Sequence, residues 1–110
     1  MAAEAKSTRQ RFSGAVSTLA ESRGRIKERL LDAYRLNLLP GSAGQTGLSP
    51  SIGQRLDALH KRMTSRSAPD DAARVAATVQ AMSEQEAVEV AREIVYLAWE
   101  ITNDVSGKGA

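Results

Sequence analysis

The sequence predicts an all-α domain, a compact bundle of four or five helices with a flexible loop at about residues 40–51. Apolar residues recur at helical spacing, and no run of four or more alternates in the manner of a strand. Alanine supplies 18 of the apolar residues that make up 42% of the chain, as suits helices in close contact. Ser83-Glu84-Gln85-Glu86 is an S-x-x-E capping box, the strongest helix-start signal in the chain.

A first helix is expected over Arg9 to Glu21, with Phe12, Ala15, Val16 and Leu19 on one face. Ser22 and Gly24 break it, because glycine costs up to about 1 kcal/mol relative to alanine inside a helix. The pattern resumes at Arg25, where Ile26, Leu30, Ala33, Tyr34 and Leu38 form a stripe that Leu31 widens. Pro40 and Gly41 end it. The segment PGSAGQTGLSPS then reads as a long connection. Ser49 and Pro50 supply an N-cap and a first helical position for a helix ending near Ser65, with Ile52, Leu56, Leu59 and Met63 inward. Asp70 and Asp71 suit the positive end of a fourth helix, whose narrow stripe is Ala72, Val75, Ala76 and Val79. The capping box opens a last helix to about Asn103, roughly 30 Å long at 1.5 Å per residue. Val90, Ile94, Leu97 and Ile101 follow the 4-3-4 spacing of a coiled-coil seam, and Val88, Val95 and Trp99 form a second strip beside them. Such a helix is either the centre of the domain or the core of a dimer.

In domain terms, residues 1–8 read as a disordered basic arm, 9–104 as one helical domain and 105–110 as a disordered tail. A chain of 110 residues should bury about 65% of its unfolded surface, enough for one modest core. The absence of cysteine excludes disulfides, thiolate nucleophiles and Cys-ligated zinc. No apolar run approaches the ~20 residues of a membrane helix. The polar N-terminus lacks a secretory hydrophobic segment, and a cytoplasmic protein is expected.

Charge is unevenly placed. Residues 1–66 hold 12 Lys/Arg against five Asp/Glu, whereas 67–110 hold three against eight. Two halves that attract each other, within or between chains, explain this better than an anionic partner.

Chemistry finds little support. Gly41, Gly44 and Gly47 are three apart, with no preceding strand and no following lysine, unlike a P-loop. His60 is the only histidine; Asp57 could orient it, but a boundary histidine is the plainer reading. Glu86, Glu89, Glu93 and Glu100 share a helix face, yet no Glu-x-x-His pair accompanies them for a metal site. No cofactor, metal or catalytic residue is expected. Met82-Ser-Glu-Gln-Glu-Ala resembles the opening of a LuxR-type DNA-binding domain over six residues only, and no basic recognition helix follows. That segment and Ile26 to Tyr34 also resemble stretches of short bacterial proteins, which implies no activity.

The expected function is a non-enzymatic protein–protein interaction or regulatory module acting as a homodimer. Val90, Ile94, Leu97, Trp99 and Ile101 are its candidate anchors. The alternative is a nucleic-acid-associated protein using the basic N-terminal two-thirds. Arg23, Arg25, Lys27, Arg29, Lys61 and Arg62, with Arg9, Arg11 and Arg66, would neutralise phosphates.

Overall fold

A computed structural model describes residues 8–39 and 49–103 of the chain. They form five α-helices: α1 (Thr8–Glu21), α2 (Ile26–Ala33), α3 (Pro50–Met63), α4 (Asp71–Ala81) and α5 (Glu84–Thr102). A π-helical turn, Tyr34–Leu38, continues α2. The protein is an all-α bundle, as its periodicity requires. The expected arm, the glycine-rich stretch 40–48 and the tail lie outside the described residues. One boundary changes: Thr8, assigned to the arm, is a buried member of α1.

Local signals set the helix ends. Gly24 takes φ 104°, a left-handed conformation that glycine adopts without strain, and separates α1 from α2. Glu28 then reaches back to accept the Arg25 backbone N–H at 2.9 Å. Asp70 caps α4 by accepting from Ala73 N–H at 2.8 Å. Both halves of the Ser83–Glu86 capping box form, at 3.0 and 2.8 Å. The Ser83 backbone N–H bond holds the Glu86 carboxyl below the usual glutamate value.

α5 is the central helix and packs against α1, α2 and α3. α4 closes the other side against α2, α3 and the π turn. The apolar stripes meet in one core that includes Phe12, Leu30, Tyr34, Leu56, Met63, Val75, Ile94 and Leu97. Burying a side chain the size of leucine or isoleucine contributes about 1.5–3 kcal/mol. Ala72, expected inward, is exposed, and Thr78 is buried in its place on α4. The Thr78 hydroxyl accepts the Arg66 backbone N–H at 3.2 Å, so its burial leaves the oxygen satisfied.

The π turn was not legible as such. Its extra residue per turn brings Asn37 against α1, where its amide donates to Thr18 Oγ1 at 3.1 Å while also donating back to Ala33 O of α2 at 3.0 Å. Arg11, also buried, donates to the Asn37 carbonyl at 3.1 Å. Gly14 lies beneath this contact, because a Cβ there would overlap the Asn37 amide.

Candidate interaction surface

α5 presents three kinds of surface around its circumference. Its inner face is spent on the chain's own core: Val90, Ile94, Leu97 and Ile101 are all 3% exposed or less. Four of the five expected anchors therefore cannot form an outward seam. The 4-3-4 spacing marks contact with α1, α2 and α3 within the protomer. Only Trp99 of that set faces out.

The outer face has a different membership. Val88, Arg92, Val95, Tyr96 and Trp99 stand at i, i+4, i+7, i+8 and i+11, which places them on one side of the helix. Trp99 is 66% exposed, Tyr96 56% and Val95 46%, while Val88 is half-buried. Arg92 is exposed and has no ion-pair partner among the described residues. Leu36 on the π turn is the other large apolar residue so exposed among the described residues. A lone outward leucine is ordinary, but a strip with two aromatics is not.

The third surface is acidic and largely neutralised. Arg55 of α3 donates to Glu100 Oε1 at 2.7 Å and forks onto Glu93 at 3.3 and 3.4 Å. The Glu100 hydrogen bond, aided by Glu93 and against the effect of burial, raises the Arg55 pKa further. Arg25 reaches Glu84 at 3.4 Å across exposed surface. The basic N-terminal part and the acidic last helix thus attract each other inside the chain. Arg55 was missed in the sequence, although it flanks the Ile52–Leu56–Leu59 stripe and Glu93 and Glu100 are two turns apart.

The cations offered for phosphate binding are partly engaged in the same way. Lys27 donates to Gln80 O at 2.9 Å and Arg29 to Leu19 O at 3.0 Å, each closing a helix C-terminus. Arg11 is buried, and burial lowers its pKa. Arg9, Arg23, Lys61, Arg62 and Arg66 remain exposed. Arg62 and Arg66 line a small polar depression of about 150 Å³ that Glu86 also enters.

His60 has an unforeseen partner. Its Nδ1 lies 3.0 Å from Tyr34 Oη, with the two rings nearly parallel at 13°. Burial raises the Tyr34 pKa well above its ordinary range; Arg11 opposes that shift and Asp71 adds to it. The pair ties α3 to the π turn. A groove of about 280 Å³ between α3 and α5 has an apolar floor of Leu59 and Val90, with Arg55, Arg62, Glu89 and Glu93 at its edges. His60 is not among the described residues that line it. Among the described residues no three His, Cys, Asp or Glu side chains gather to hold a metal, and no helix is long and apolar enough to cross a membrane.

No family model, curated protein or solved structure matches the chain.

Proposed function

We propose that the chain is a non-enzymatic interaction module that acts as a homodimer, docking through the outer face of α5. The observation that carries this reading is the exposed Trp99–Tyr96–Val95 strip on the helix whose inner face already anchors the core. Trp, Tyr and Arg are the residue types that dominate binding hot spots, and Arg92 completes the set. Two copies of α5 can approach because the chain's own arginines neutralise Glu84, Glu93 and Glu100.

Trp99 is the only tryptophan, so its fluorescence reports on the proposed interface alone. Dilution from tens of micromolar should shift its emission to the red as the indole becomes hydrated, in step with a fall from dimer to monomer mass by sedimentation. Trp99→Ala should be monomeric throughout. A wild-type monomer at tens of micromolar, or a dimer that Trp99→Ala leaves intact, overturns the reading.

A further inference from the structure

We infer that the two copies pair α5 on α5 in antiparallel fashion, about a two-fold axis level with residue 94. The inference rests on the homodimer reading and specifies its geometry. A two-fold interface brings the same patch together from both copies, so the patch must complement itself. The outer strip does so in one orientation.

The strip tapers, with Val88 at one end and Trp99 at the other. Parallel copies would set indole against indole and leave a gap between the valines. Antiparallel copies place each Trp99 over the other copy's Val88, large against small. Arg92 is the only cation of α5 and sits near the middle of the strip. A parallel pair in register opposes Arg92 to Arg92. The antiparallel pair lays it on Tyr96 of the other copy, where a guanidinium over a ring face is attracted. Residues 88 and 99, and 92 and 96, share nearly one midpoint, so a single axis satisfies both contacts. The same axis keeps the acidic first turns, Glu84 and Glu86, at opposite ends of the pair and opposes the two helix dipoles.

The chain contains no cysteine, which makes cross-linking with introduced cysteines clean. Gln85 and Asn103 are both exposed and stand 18 positions apart, about five full turns, so both lie beside the strip. Their midpoint is residue 94. Gln85→Cys and Asn103→Cys would be oxidised separately and as an equal mixture, with the mass of each variant measured under reducing conditions. Disulfide dimers should form in the mixture at least tenfold faster than in either variant alone. A disulfide requires Cα atoms within about 7 Å, which only opposed ends allow. Rapid cross-linking of each variant with itself overturns the antiparallel geometry but keeps the α5 interface. No cross-link from samples that are dimeric by mass places the contact elsewhere and overturns both readings. Monomeric mass with no cross-link, in a sample whose far-ultraviolet helical signal matches wild type, also overturns both.

Discussion

The inner and outer faces of α5 hold similar residues and meet opposite fates. Ile94 and Leu97 are sealed within the bundle, whereas Val95 and Trp99, one and two positions further on, face out. An apolar residue on a helix asks only to be covered; what covers it depends on how many neighbours the chain can bring. Here α1, α2 and α3 take the inner arc of α5, while α4 packs mainly on α2, α3 and the π turn. The chain has no further described helix for the outer arc. Ile94→Ala should therefore cost about 2–5 kcal/mol of folding stability, by lost transfer energy plus a cavity. Trp99→Ala should change monomer stability by no more than about 0.5 kcal/mol, the usual range for a surface site. Urea unfolding at a concentration low enough to leave wild type monomeric compares the two directly, since dimerisation would otherwise add to apparent stability. Equal losses would break the contrast and make Trp99 a core residue.

The same division applies to the two tyrosines. Tyr96 stands on the outer strip, while Tyr34 is buried with its hydroxyl on His60. Because the folded-state pKa of Tyr34 is raised, the folded protein holds this proton more tightly than the unfolded chain. That contribution is complete below the ordinary tyrosine value of 10.0 and is lost as pH rises above it. Stability should fall by up to about 1.4 kcal/mol per pH unit in that window. Tyr34→Phe should flatten the alkaline loss in urea titrations between about pH 9 and 11, the range around the ordinary phenol value. A profile unchanged by Tyr34→Phe would place the titrating group elsewhere.

Much of the fold was legible because its signals are local. Gly24, Ser49-Pro50, Asp70 and the Ser83–Glu86 box act within one helical turn, and each marks the helix end it predicts. The α3 stripe of Ile52, Leu56, Leu59 and Met63 is buried in full. The surface was less legible, for a physical reason. Val90 and Ile94 satisfy a dimer seam and a protomer core equally well, and only the positions of α1, α2 and α3 decide between them. Arg55, with partners 38 and 45 residues away, leaves no local trace either. Nor does the π turn, whose Asn37 meets Thr18 across 19 residues.

Two helical glycines sharpen this distinction between local and tertiary demands. Gly53 in α3 has nothing within 4 Å of a built Cβ. Gly53→Ala should therefore stabilise by about 0.5–1 kcal/mol through helix propensity. Gly14→Ala gains the same propensity but displaces the Asn37 amide, with its bonds to Thr18 and Ala33. Each such bond is worth about 0.5–1.5 kcal/mol, so the substitution should come out neutral to destabilising by about 2.5 kcal/mol. Thermal unfolding of the two variants should thus move in different directions. Gly14→Ala matching Gly53→Ala would show that Asn37 relaxes at no cost.

Another modest effect lies at the border between the two faces of α5, where Arg55 holds Glu93 and Glu100 against α3. Its side chain and both carboxylates are over a third exposed, so solvent weakens the attraction. Arg55→Ala should cost only about 0.5–1 kcal/mol, even for a forked pair. Arg55→Lys is the more informative change. An ammonium can meet one carboxylate as a point charge but lacks the planar fork that spans two, so lysine should recover less than half of the loss. In about 1 M salt the Debye length falls to about 3 Å, and the difference between wild type and Arg55→Ala should shrink toward zero. A loss that salt leaves unchanged would mean that Arg55 acts by packing its aliphatic stem over the α3–α5 groove. That result would move the edge of the buried core outward, from Leu97 toward the acidic face, and narrow the surface left for a second copy.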